Sequence, residues 1–268
     1  MIRRPIQRTT ALLLGVLSIA ALLGAYTWLS HRQHAQNPND TTIPSWKQLG
    51  HGVVTAVEVN PRSQDRWLVA DAKASGLRLF AGLALGTVGS IVLGMIMGCF
   101  APAEAFFHPP LSLLAKVPPT AALAVFFVLA GTDMTMYVAM IAFGILPTLA
   151  LTVFLSVKEF PEELQFKAYT LGASHLEVIV AVIFRHILPK LIDAVRLVIG
   201  PAMVFLIAAE MLVGDVGFGY RIRLQSKLLN MNVVYPYLAL LAAFGFSMDF
   251  GLKWLQTKCC PWFGGHRG

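Results

Sequence analysis

The sequence predicts an all-α, polytopic membrane protein with six spans, and three observations carry that prediction. Only 13% of its 268 residues are charged and 56% are hydrophobic, about half the charge of an ordinary soluble domain. The missing charge is concentrated, since residues 9–30, 79–103, 134–157 and 228–248 contain no Asp, Glu, Lys, Arg or His. Each run is close to the roughly 20 residues that cross a bilayer core as a helix. In lipid every backbone polar group must be paired within its own segment, so these runs are expected as helices.

The first span, 9–30, follows a basic start, MIRRPIQR. A secretory signal opens the same way, but this run is long for an h-region, no small-x-small site follows it, and Trp28 sits where an interfacial aromatic belongs. It is read as a retained span, with Arg3, Arg4 and Arg8 holding the N-terminus in the cytoplasm. Residues 31–74 then form an extracytoplasmic connecting segment, in which IPSWKQLGHGVVTAV is mildly amphipathic and suited to a membrane surface. His31 and His34 lack acidic or thiol companions and read as solvated loop histidines.

In the second span Gly82, Gly86, Ser90, Gly94 and Gly98 recur at every fourth position. That spacing makes one ridge of small residues along which another helix backbone can approach closely. The third span is interrupted: 109–115 and 117–132 are apolar, but Lys116 stands between them beside Pro118 and Pro119. The fourth is 134–157. The fifth, 187–214, has a clean centre at 197–209 bracketed by Lys190, Asp193, Arg196 and Glu210, as expected of a helix facing protein or a water-filled path. The sixth, 228–248, ends at Asp249, read as interfacial. An even number of spans returns the C-terminus, with Lys253, Lys258 and Arg267, to the cytoplasm.

Several function classes are excluded. The net charge is +7, but the basic residues are scattered between spans, without the basic helix or aromatic-interleaved patch of a nucleic-acid binder. Cys99, Cys259 and Cys260 give neither a disulfide framework nor a metal-ligand spacing, so no metal site is expected. There is no phosphate loop, HExxH, GxSxG or GxGxxG. No paired acids, Ser–His pair or His cluster lies within the spans, so no catalytic residue is assigned.

One segment fits neither lipid nor water. In KEFPEELQFKAYTLGASHLEV, Pro161, Glu162 and Glu163 start a helix, since proline suits the first turn and acids suit the positive helix end. Leu164, Ala168 and Leu171 form an apolar stripe, and Gly172 stands where helices commonly end. Ser174 and Glu177 form a capping box that starts a second helix, which runs through HILP into the fifth span. The first helix is too short to cross a bilayer, and its apolar stripe requires a partner. That partner is either this protein's own helices or another protein.

The segment resembles the EAA loop of ABC importer permeases, the membrane subunits of binding-protein-dependent transporters. TLGAS at 170–174, the later Leu–Pro pair, SGLRLFAG at 75–82, AKVPPTAALAVFF at 115–127 and RLVIGPAMVFLIAAEMLVGDVGFGYRI at 196–222 are most similar to the nitrate, sulfonate and taurine branch. The PAMVFLIAAEM run and the tail after Asn232 look closer to permeases encoded near urea-carboxylase-type enzymes. The sequence departs from the motif at Phe166, which replaces its Glu, at Lys167, which replaces its first Ala, and at Arg185, which replaces its first proline.

The resemblance implies a type I importer permease (MetI-like) fold over residues 75–256, with a coupling helix at 161–172 and a cytoplasmic tail at 257–268. It implies ATPase contacts at Phe166, Lys167, Ala168, Tyr169, Leu171, Gly172 and Ser174. It also implies a substrate-binding protein outside and a second permease copy, as a homodimer. No cofactor is expected on this chain, because ATP and magnesium belong to the partner ATPase. Glu210 is expensive inside an apolar run and is, with Met203, a candidate for the translocation path; the alternative is a structural acid hydrogen-bonded near the outer face. A channel or secondary transporter working without ATP is the competing function.

Overall fold

The computed structural model describes residues 7–38, 40–59 and 66–266. Arg3, Arg4 and Arg267, on which the orientation argument partly rests, lie outside them. The described residues are almost entirely helical, with one isolated bridge between Val59 and Arg66. Among the described residues five helices are long and apolar enough to cross a membrane: α1 (Arg8–Gln36), α3 (Trp67–Cys99), α6 (Met134–Lys158), the continuous helix 175–213, and α11 (Met231–Cys259). The helix at 175–213 comprises a first turn, α8 (His175–Glu177), a π-helical stretch (Val178–Ile183) and α9 (Phe184–Val213).

The third of the six expected spans is not an unbroken helix. In its place stand α4 (Ala101–Leu114) and α5 (Leu123–Ala130). Between them, Pro118 and Pro119 offer no backbone N–H, and the carbonyls of both accept tight three-residue turns from Ala121 and Ala122. Missing donors and ring clashes stop a helix there. At about 1.5 Å per residue, neither piece alone reaches across a bilayer core. The second span also starts earlier than its charge-free window, at Trp67, taking Asp71, Ser75 and Arg78 into the helix.

The chain divides into two compact units. The smaller contains α1, α2 (Trp46–Val57) and residues 222–238. The Ser45 hydroxyl and the Gln48 side chain form a complete capping box on α2. The Tyr26 hydroxyl donates to the Pro44 carbonyl at 2.7 Å, the Ser30 hydroxyl donates to the same oxygen at 3.1 Å, and the Tyr26 and Trp46 rings meet edge-on at 5.4 Å. These contacts turn α2 back against the end of α1. Gly52 lies so close to the Asn232 carbonyl that a Cβ would overlap it.

The larger unit contains α3 to α9, the first turn of α10 (Phe218–Lys227) and α11 from residue 239. Its core has two main clusters. Leu79, Leu83, Tyr137, Met140, Ile141, Ile145 and Leu206 join α3, α6 and α9. Met95, Val153, Val157, Val178, Ile183 and Ile187 continue that packing toward α7 (Glu162–Thr170). Large apolar residues on the other faces, such as Leu85, Val88, Leu155 and Leu197, are exposed, as expected of surface that meets lipid.

Candidate functional site

The segment that the sequence singled out is a short helix closed at its C-terminal end by one cap and followed at once by the complete N-cap of the next helix. Pro161 is the N-cap of α7, and Glu162 and Glu163 fill its first turn. At the other end, the Gly172 N–H donates to the Tyr169 carbonyl at 2.9 Å and the Ala173 N–H to the Ala168 carbonyl at 3.1 Å. That pair of bonds is the Schellman arrangement, which needs a left-handed residue; Gly172 supplies it at φ +86°. Ser174 then caps α8: the Glu177 N–H donates to the Ser174 hydroxyl, and the Glu177 carboxylate accepts from the Ser174 N–H at 2.8 Å. Helix end and helix start are thus separated only by residues 171–174.

The apolar residues of α7 face two ways. Ala168 and Tyr169 pack against the cluster of Met95, Val153, Val157 and Val178. The Tyr169 hydroxyl also pairs with Nδ1 of His175 at 2.9 Å, across the Gly172 break. Phe166 (63% exposed), Leu171 (88%) and Leu176 (73%) point away from the protein. Lys167 and Ser174 are exposed as well. Part of the stripe therefore holds α7 to its own chain, and part of it is uncovered.

Along α3 the small-residue ridge lies against α6. A Cβ on Gly82 would sit 2.6 Å from Ile141, on Gly86 2.6 Å from Ile145, on Gly94 2.6 Å from the Ala150 carbonyl, and on Gly98 2.5 Å from Val157. Ser90 occupies the middle of the ridge with its hydroxyl shared between the Gly86 and Leu146 carbonyls. Two backbones in such contact gain dispersion energy over their full length.

Glu210 and Met203 fall in different surroundings. Glu210 is 0% exposed. Its carboxylate accepts from the Ser75 hydroxyl at 2.8 Å, Arg78 Nη1 at 2.9 Å and the Gly219 N–H at 2.9 Å. Arg78 also donates to the Val216 carbonyl and lies over the Tyr137 ring at 4.0 Å. One turn before Ser75, the fully buried Asp71 accepts from the Gly217 N–H and from Arg221 Nε at 2.8 Å. Two acids and two arginines thus tie α3, the end of α9, the 214–217 loop and the first turn of α10 together. Gly217, at φ +123°, is required twice over, because a Cβ there would collide with the Glu210 carboxylate. The charge-free window hid this cluster, yet positions 71, 75, 78 and 82 share one helix face, so its polar end continues the glycine ridge.

A second charged group is open rather than sealed. Arg196 on α9 meets Asp249 on α11 side-on, with Nε at 2.8 Å and Nη2 at 3.0 Å, and donates to Asp193 from Nη1 at 2.9 Å. The side chains of Arg196, Asp193 and Asp249 are 22%, 39% and 41% exposed. Asp249, expected at the end of the sixth span, instead lies within α11, which runs on to Cys259, and is part of an ion pair. Met203 lies on the same side of α9, in a cleft with Arg196 and Asp249. Among the described residues no cluster of His, Cys, Asp or Glu has a metal-binding arrangement.

Comparison with known proteins follows the same lines. The chain is 29% identical over 188 residues to the taurine transport system permease protein TauC of Escherichia coli K12, covering 70% of this chain and 67% of that one. It is 25% identical to the putative aliphatic sulfonates transport permease protein SsuC of Bacillus subtilis, covering 71% and 69%. It is 24% identical to the nitrate import permease protein NrtB of Leptolyngbya laminosa, covering 58% and 56%. In fold it is similar to the inward-facing MetNI methionine ABC transporter, with a TM-score of 0.64 at 18% identity over 72% of this chain and 96% of that one. These relatives are transport permeases, not enzymes. Residues 90–259 match the model of the binding-protein-dependent transport system inner membrane component, and the chain belongs to that family.

Proposed function

We propose that this ABC importer permease is driven through α7 and the capped break that follows it, which dock by Phe166, Leu171 and Leu176 in a groove of a cytoplasmic ATPase subunit. The observation that carries this reading is an exposed apolar patch on a short helix joined, across the capped break at Gly172, to a membrane span. Large exposed apolar residues outside lipid mark a protein contact. The caps on either side of Gly172 fix the angle between α7 and the helix that follows, and the Tyr169–His175 bond with Ala168 packing fastens α7 to the core. Phe166, in place of the family's Glu, makes the grip aromatic and apolar rather than ionic. Lys167 and Ser174 stand at the edge of the same surface.

In this reading α7 and both termini lie in the cytoplasm, a binding protein delivers solute at the opposite face, and two copies of the permease enclose the path. The named relatives serve taurine, sulfonate and nitrate systems, so the solute is a small oxyanion or a small molecule bearing one. Glu210, sealed and fully bonded, serves to hold the 214–217 loop and the first turn of α10 rather than to touch solute.

The test is purification of the tagged permease in mild detergent after co-expression with its ATPase and binding protein. The wild type should retain the ATPase, whereas Phe166→Asp and Leu171→Asp should lose it while keeping the wild-type yield of permease. A permease that purifies without an ATPase, or an unaltered complex in both variants, defeats the reading and favours a transporter working without ATP.

A further inference from the structure

The cleft between α9 and α11 holds charge where apolar surface would be cheaper. The clean centre of α9, residues 197–209, covers only about 20 Å of a bilayer core of about 30 Å. The core must therefore take in Arg196, Glu210 or both. Charge at that depth faces protein or water and commonly marks a path for ions or polar solutes. Glu210 is enclosed, and displacing any of its partners would strand a fully buried carboxylate. Arg196 differs in each respect. It lines a cleft of about 520 Å3 with Gly200, Met203, Gly245 and Asp249. A Cβ on Gly200 would meet nothing within 4 Å, and one on Gly245 would meet only the end of Met203. The cleft is thus open space beside both glycines, its remaining wall made of Ile199, Leu241, Ala242 and Phe246.

We propose that Arg196 is the charge-selective residue of the translocation path: its guanidinium takes two oxygens of a passing oxyanion in exchange for the carboxylate of Asp249. The side-on fork that Nε and Nη2 now present to Asp249 has the geometry that suits any pair of oxygens on carboxylate, sulfonate or nitrate. The exchange is feasible because Asp249, 41% exposed, can take up water when released, with Lys253 one turn away. Asp193 stays on Nη1 and keeps the fork oriented. In the absence of solute, Asp249 closes the site and spares the cleft an uncompensated cation. This assignment rests on the importer reading, but its test reads water access and charge, not uptake or ATPase binding, so the two can fail separately.

The experiment places a cysteine at Met203, and separately at Gly200, in a permease whose three native cysteines are replaced, within the full importer in membrane vesicles. Each is treated with anionic sulfonatoethyl and cationic trimethylammonioethyl methanethiosulfonate. The cleft cysteines should react with the anionic reagent. Arg196→Gln should lower the anionic-to-cationic rate ratio about tenfold, Arg196→Lys should largely preserve it, and Asp249→Asn should raise it. No reaction at either position, while a permease that keeps the exposed native Cys259 alone does react, overturns the proposal, as does a ratio indifferent to Arg196→Gln. If Arg196→Gln fails to fold, Asp249→Asn decides alone, and an unchanged ratio there overturns it.

Discussion

Glu210 and Arg196 are both charges on one apolar helix, and burial separates their roles. Removing one partner from a sealed pair leaves the other charge unpaid for by solvent, a loss of about 3–5 kcal/mol. Glu210→Gln should therefore lower the thermal unfolding midpoint in detergent, and Gly217→Ala should do so as well, because its Cβ needs the space the carboxylate occupies. A wild-type midpoint for both would remove the clamp role. The sequence flagged Glu210 because a lone acid in an apolar run stands out, but it did not show Ser75 and Arg78 as its partners or Asp71 and Arg221 as a second pair beside it. A search for charge-free windows discards such residues, since it stops where the polar end of a helix begins. Arg196 and Asp249 were each visible as charges at the margin of a span; that they are partners depends on how α9 and α11 lie against each other, which no local pattern records.

At the scale of elements, periodicity was the most informative signal. The ridge of Gly82, Gly86, Ser90, Gly94 and Gly98 was legible because a four-residue repeat stays on one helix face, although the partner α6 was not. Gly86→Ala and Gly94→Ala should each cost about 1–3 kcal/mol by forcing the helices apart, read as a drop in unfolding midpoint. Gly89→Ala should cost less, since its Cβ would meet only the end of the Leu146 side chain. Capping rules worked equally well around Gly172, where both caps are local and depend on residues within six positions. The third span was harder to read. Apolar content alone made it a crossing helix, while Pro118 and Pro119 break it into α4 and α5.

For the whole molecule, the importer reading needs a rigid connection from α7 to the spans. Gly172→Val would place a β-branched residue at φ +86°, a conformation it resists. The expected outcome is a complex that still assembles with its ATPase but hydrolyses ATP without the usual stimulation by loaded binding protein. Wild-type stimulation would show that the break between the helices need not be tight. Composition was enough to identify a membrane protein, and local motifs were enough to identify the family. The proposed path was less accessible, because its residues, Arg196, Met203 and Asp249, come from spans distant in sequence.

The π-helical stretch at Val178–Ile183 has a consequence for how that connection is aimed. A π turn carries one residue more than the α turns on either side, so it offsets the angular phase of everything before it relative to α9. An α-helix advances about 100° per residue. Were this stretch wound as a regular α-helix, α7 would swing by roughly that angle about the α9 axis and present Phe166 and Leu171 in another direction. The bearing of the docking patch is therefore set by a single surplus residue, and changes of length between Ser174 and Phe184 would alter it more than changes of side chain.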